Sequence, residues 1–185
     1  MREIEILVKV LESKNSALKK LSKYTNHHVS KIVDKYYYIP GHKGMIPSKN
    51  RNANEMFRLR TKNNKSFITF KKDVFSGKNW LYSDEYETEV KDINTMIDMF
   101  KLLGFKPLVT VNNTRDIYLY DDYEICLEDV KNLGLFLEIE CLNPKNKSPT
   151  IVRKNIFDLI KTIGIQVSDE VQAGKAELLY LKLKK

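Results

Sequence analysis

Acidic residues recur at every second position in segments whose other residues are typical of β-strands, and this limits what the chain can become. "REIEILVKV" puts Glu3, Glu5, Leu7 and Lys9 on one side of an extended segment, and "LFLEIE" puts Glu138 and Glu140 together. Glu128 stands just before the turn in "ICLEDVKNLG". The same period pairs Arg58 with Arg60 in "FRLR" and aligns Glu85, Glu87 and Glu89 in "EYETE". A face made of carboxylates and guanidinium groups is no hydrophobic core. Strand by strand, it is the wet side of a half-exposed antiparallel sheet. With Lys71 and Arg115 added, the whole set places acids and bases at comparable positions on several strands. If the strands curl, both kinds of charge face one interior, where each needs an opposite charge or a ligand.

The rest of the chain supplies those strands. "DKYYYI", "MFRLRTK", "SFITFKKDV", "WLYSDEYETEV", "KPLVTV", "RDIYLY", "YEICLED" and "LFLEIECL" read as strands after the first. Lys-Asn-Asn-Lys between the second and third of these predicts a hairpin turn, and the Asn-Asn after "KPLVTV" predicts another break. Tyr36 to Tyr38 are expected to alternate between core and surface. "SKNSALKKLSKYT" predicts a short helix with Leu18 and Leu21 inward. In "DINTMIDMFKLLGF", Ile93, Met96, Ile97, Phe100 and Leu103 recur at helical spacing, with Asp92 as cap and Gly104 as stop. Ser148 and Pro149 open another helix carrying Val152, Ile156, Ile160 and Ile163 on one side, ended by Gly164. "AGKAELLYLKLKK" predicts a last short helix, and "PGHKGMIPSKNRNANE" a long basic loop. Hairpin-scale gaps argue against a parallel βαβ sheet and favour an α+β fold with a barrel or strongly curved antiparallel sheet. A length of 185 residues suits one domain over 1–185.

The charge of +8, from 32 basic and 24 acidic residues, admits nucleic acid, an anionic surface or a small polyanion as partner. Nucleic acid is the weaker reading, because only "KYYY" near the basic loop offers a weak version of a basic stripe with aromatic platforms. No apolar run suggests a signal peptide or a bilayer span, so a cytoplasmic protein without membrane contact is expected. Cys126 and Cys141 lack metal-ligand spacing and read as small buried hydrophobes. His27, His28 and His42 lack it too, and "HH" reads as a surface pair. Walker, HExxH and GxSxG motifs are absent. Carboxylates on several strands suit a hard divalent cation, and Arg and Lys opposite them suit phosphate oxygens. A magnesium-bound polyphosphate answers both.

With these motifs in order along nearly the whole chain, it resembles the CYTH superfamily, the triphosphate tunnel metalloenzymes. That group includes class IV adenylyl cyclases, thiamine triphosphatases and inorganic tripolyphosphatases. The resemblance is carried by "EIEILVKV", "DKYYYI", "FRLR", "TFKKD", "DEYETEV", "LLGFKPLVTV", "NNTRDIYLY" and, most specifically, "ICLEDVKNLGLFLEIE". It implies a closed eight-stranded antiparallel β-barrel with flanking helices. It also implies metal ligation by Glu3, Glu5, Glu85, Glu87, Glu138 and Glu140, and triphosphate binding by Arg58, Arg60, Lys71 and Arg115. Glu5, Lys9 and Glu128 take the catalytic positions. Three positions depart from the pattern: Leu7 and Asn113 stand where lysines are usual, and Ser83 where an arginine is. Glu128 replaces the usual aspartate.

The function implied is Mg²⁺-dependent hydrolysis of inorganic triphosphate or nucleoside triphosphates, with Mn²⁺ as an alternative metal. Two other readings share the cradle: a class IV adenylyl cyclase, and a non-catalytic module binding polyphosphate or RNA 5′-triphosphate ends. A homodimer is compatible with all three.

Overall fold

The computed structural model describes residues 2–48, 52–77 and 79–184. The strands are β1 (Arg2–Glu3), β2 (Glu5–Val10), β3 (Thr25–Tyr38), β4 (Glu55–Lys62), β5 (Lys65–Ser76), β6 (Asn79–Val90), β7 (Lys106–Tyr120), β8 (Tyr123–Val130), β9 (Gly134–Cys141) and β10 (Val167–Glu170). The helices are α1 (Lys14–Leu21), α2 (Ile93–Leu102), α3 (Pro149–Ile163) and α4 (Lys175–Leu183), with a 3₁₀ turn at Lys43–Met45. Residues 49–51 of the long basic loop lie outside the described residues.

All strand pairs are antiparallel, in the order β1-β6-β5-β4-β3-β7-β8-β9-β2-β10. The expected closed eight-stranded barrel is not what forms. The sheet is an open, strongly curled half-barrel of ten strands whose edges lie 16 Å apart. The reason lies in where β2 spends its hydrogen bonds. One edge of β2 pairs with β9, from Glu5↔Glu140 to Lys9↔Phe136. Its other edge is taken by β10, with Val167↔Val10 and Glu170↔Val8. Only Arg2 and Glu3, split from β2 at Ile4, pair with β6. The "VSDE" of β10 is short and polar, which is why periodicity did not announce it.

Other differences have equally local causes. Asn112 and Asn113 do not break a strand: both pair with Val33 and Ile32 inside the fifteen-residue β7. Asn63 and Asn64 do make the hairpin turn, each with positive φ (50° and 64°), a conformation asparagine tolerates. Tyr36 and Tyr37 are both buried, because β3 is covered on both faces. Tyr37 packs edge-on against Phe100 of α2, while Tyr36 faces the interior. Leu103, grouped with the apolar stripe of α2 by spacing, ends that helix and is exposed.

The period-two pattern now has a physical meaning. Ile4, Ile6 and Val8 of the first strands, and Leu137, Ile139 and Cys141 of β9, join the largest apolar cluster with Val152, Ile156 and Ile160 of α3. Their alternates, Glu3, Glu5, Glu138 and Glu140, line the concave side. A second cluster forms there too: Leu7, Tyr36, Val111 and Phe136 pack against Ala176 and Leu179 of α4. Gly164, with φ +78°, ends α3 in the left-handed conformation that glycine adopts without strain. Both cysteines are free and buried. Among the described residues no helix is long and apolar enough to cross a membrane.

Because α3 closes the convex core, Ile156→Ala should cost about 2–5 kcal/mol of stability in urea unfolding. A loss below about 1 kcal/mol would mean that α3 is not seated on the sheet as described.

Candidate active site

The concave side holds a cavity of about 250 Å³, lined from β1 to β9, α4 and the segments that precede β4 and α4. Strand register orders its walls. Arg58 lies opposite Thr69, which lies opposite Glu87; the next row is Met56, Lys71 and Glu85; beyond it come Asp73 with Ser83, then Phe75 with Trp80. Nine acidic and six basic side chains line this one space. The protein carries an overall excess of positive charge, yet its interior leans the other way.

The acids gather at one place. Carboxylate oxygens of Glu3, Glu5 and Glu140 all lie within 4.8 Å of one another. The break at Ile4 makes this possible, bringing Glu3 from the β6 side beside Glu5 and Glu140 from the β9 side. Lys71 Nζ pairs with Glu3 and lies 3.2 Å from Glu5 Oε1 and 3.8 Å from Glu85 Oε2. Burial raises the Glu3 carboxyl, but the Lys71 ammonium outweighs it and holds Glu3 below its ordinary value. Glu5 is pushed well above its ordinary value by burial and by the charges of Glu138 and Glu3. Burial, Glu3 and Glu138 push Glu140 up to about 8. This donor set fits a hard divalent cation: several carboxylate oxygens converge, and their mutual repulsion is what such a cation relieves.

On the opposite wall, Asp34 takes two bonds from Arg60, at 2.7 and 2.9 Å. Burial disfavours that carboxylate, but Arg58 and Arg60 together hold Asp34 far below its usual range. Arg58 is held more loosely. It donates to Thr69 Oγ1 at 3.3 Å and to the Tyr36 hydroxyl at 3.4 Å, with Asp34, Glu85 and Glu87 at 3.8–3.9 Å.

A third group sits under α4. Lys175, the first residue of that helix, reaches Glu128 Oε2 at 2.8 Å and Glu138 Oε2 at 2.5 Å. Arg115 reaches Glu128 Oε1 at 2.8 Å and Glu138 Oε1 at 3.3 Å. Burial opposes ionisation of Glu138, but Lys175 and Arg115 keep it well below its ordinary value. Glu128 is fully buried and also accepts from Asn113 Nδ2 at 3.0 Å. Asn113, in place of a lysine, thus braces an acid.

The structure brings Glu3, Glu5, Glu85, Glu87, Glu138, Glu140, Arg58, Arg60, Lys71 and Arg115 to the cavity wall. Glu128 lies behind that wall. Lys9 does not reach it: its side chain is exposed, and its backbone N–H donates to Ser168 Oγ at 3.1 Å. Leu7 belongs to the apolar cluster beneath α4. Ser83 is buried, donating to Asp73 Oδ1 at 2.6 Å and accepting from Trp80 Nε1 at 3.1 Å. His27 sits beside Asp116 and Tyr118 on the outside, and His42 pairs with Glu55. Sequence reasoning missed Lys175 and Asp34. "AGKAELL" carried only a helical signal, and the Asp34 carboxylate stood in "DKYYYI" as an isolated charge.

With this geometry in hand, comparison with known proteins is decisive on one point. Residues 1–174 match the CYTH domain. The chain belongs to the CYTH family. A protein of Methanocaldococcus jannaschii provisionally named an adenylate cyclase is 30% identical over 182 residues, 96% of this chain and 98% of that one. Among solved structures, PH1819 of Pyrococcus horikoshii OT3 superposes with TM-score 0.79 at 24% identity, covering 97% of this chain and 99% of that one. PH1012 of the same organism gives 0.77 at 27%, covering 95% and 98%. The overall fold is thus shared with both Pyrococcus structures.

Crowding of the acids sets a pH dependence. With Glu140 at about 8, its carboxyl is mostly protonated at pH 7, and the raised Glu5 carboxyl holds its proton more tightly than an ordinary glutamate does. A divalent cation favours their ionised forms, so binding at pH 7 should expel protons, and affinity should rise with pH until about 8. Calorimetric titration with Mg²⁺ in two buffers of different ionisation heat measures this. Zero proton release and an affinity flat from about pH 6 to 9 would contradict it.

Proposed function

We propose that this CYTH protein binds a triphosphate chain together with divalent cations in the concave cavity and hydrolyses it. The observation that carries the reading is the convergence of Glu3, Glu5 and Glu140 in the same cavity as Arg58, Arg60, Lys71, Arg115 and Lys175. The carboxylates would hold Mg²⁺, or Mn²⁺, which when bound supplies charge neutralisation at the phosphate oxygens. The chain's own residues do the rest. Arg58 can leave three distant carboxylates for phosphate oxygens at little cost, whereas Arg60 stays anchored on Asp34. Lys71 is surrounded by Glu3, Glu5 and Glu85; were those acids to hold cations, its ammonium would be free to turn toward the phosphates. Glu128, buried behind the wall, fixes Lys175 and Arg115 in place. A water held by the ionised carboxylates would then attack the terminal phosphorus, releasing phosphate and the shortened chain.

Hydrolysis asks only for this cradle and water. Cyclisation would also need a ribose 3′-hydroxyl held against the α-phosphorus, and the provisional name of the M. jannaschii relative is what favours that second reading.

Arg58→Ala should raise the Kd for Mg²⁺-tripolyphosphate at least tenfold, about 1.4 kcal/mol, and Arg58→Lys should recover part of it. Equal affinity in the wild type and Arg58→Ala would remove this side chain from the phosphate wall.

A further inference from the structure

A charged side chain is buried on the convex side, where α3 otherwise packs apolar residues. Arg153, near the start of α3, is buried and does not line the cavity. Val152 and Ile156 of the same helix belong to the largest apolar cluster. A guanidinium in such a place needs partners. Its Nη2 reaches both carboxylate oxygens of Glu170, each at 2.6 Å. Its Nη1 donates to the backbone carbonyl of Glu5 at 3.3 Å. That carbonyl lies at the break in the sheet. Carbonyls along a strand turn alternately to its two edges. Ile4 turns its carbonyl toward β9 and accepts the Cys141 N–H at 3.0 Å, whereas Leu7 accepts the Val171 N–H at 2.8 Å on the outer edge. The Glu5 carbonyl shares that outer edge. The β10 side reaches only as far as Leu7, and the β1–β6 pairs stop at Glu3. Arg153 fills the gap between them.

We infer that Arg153 is a positioning residue for the metal-binding acids: from behind the sheet it fixes the backbone of Glu5, and with it the convergence of Glu5 with Glu3 and Glu140. The inference rests on the metal reading of those acids. Arg153 touches neither the cavity nor anything bound there, and acts through the main chain of Glu5. Like charges brought together repel, and a strand held on its β9 edge alone could relieve that repulsion by giving way at Ile4. Arg153 closes the outer edge at the same residue. Glu170 grips Nη2 with both oxygens, and the rigid guanidinium then presents Nη1 to Glu5. An ion pair serving stability alone would end at Glu170. The third bond, to the main chain of a carboxylate that faces the cavity, is what ties α3 to the site.

The test is Mg²⁺ affinity by calorimetry, with urea unfolding of each protein in the absence of metal. Arg153→Ala should raise the Mg²⁺ Kd about tenfold, the low end of what losing a group that braces a ligand costs. Arg153→Lys keeps the charge but not the fork that spans both partners, and should recover part of the loss. Glu170→Gln should weaken Mg²⁺ in the same direction, and add little to Arg153→Ala, because both act through one contact. Ile156→Ala is the control from the same helix: it should lose stability while its Mg²⁺ Kd stays within about twofold of the wild type. If Arg153→Ala behaves as Ile156→Ala does, less stable with its Kd unmoved, Arg153 is a structural pin and the inference falls. Should Arg153→Ala not fold, Arg153→Lys and Glu170→Gln decide: a raised Kd in both supports the inference, and wild-type Kd in both overturns it. If the wild type binds no Mg²⁺, the metal reading of the acids fails and Arg153 loses this role with it.

Discussion

Everything in this protein turns on the Lys71 ammonium buried among Glu3, Glu5 and Glu85. Moving so many charges out of water is costly, and mutual pairing returns only part of that cost. The imbalance shows in the acids themselves: Glu3 and Glu138 remain ionised beside their cations, while Glu5 and Glu140 are driven toward the protonated state. A fold selected only for stability would place apolar side chains here. This interior is a set of partial pairs, each able to exchange its partner for a metal ion or a phosphate oxygen.

The sheet makes such an interior tolerable by separating its two faces. On the convex side, Ile4, Ile6, Leu137 and Ile139 are fully buried against α3, and this core supports the strands whose alternate residues carry the charge. On the concave side, α4 plugs the space beyond the charged rows with Ala176 and Leu179 and delivers Lys175 into it. The neighbouring Glu177 is buried, accepts the Ala53 backbone N–H at 3.0 Å, and is pushed by burial up to about 7. It ties the loop before β4 to the same helix. Cavity, plug and loop are therefore parts of one arrangement around the charges.

Much of this could be read from the sequence because strand alternation is a local property. Glu-x-Glu at both ends, "FRLR" and "ICLEDVKNLGLFLEIE" placed their side chains on one face, and they do converge. Closure could not be read in the same way. It depends on which strand takes the outer edge of β2, and the four-residue β10, three of them polar, gives no periodic signal. Leu7 and Lys9 share a strand side by parity, yet α4 covers Leu7 while Lys9 reaches solvent. Lys175 and Asp34 escaped for another reason: each draws its meaning from partners on distant elements.

The central claim is that the paired charges of this cavity exist to process a triphosphate with divalent metal. Product analysis of Mg²⁺-ATP incubated with the purified protein tests it most directly. Inorganic phosphate and ADP should appear with Mg²⁺ or Mn²⁺ and cease when the metal is chelated. Cyclic AMP with pyrophosphate, or no turnover with metal present, would contradict the account.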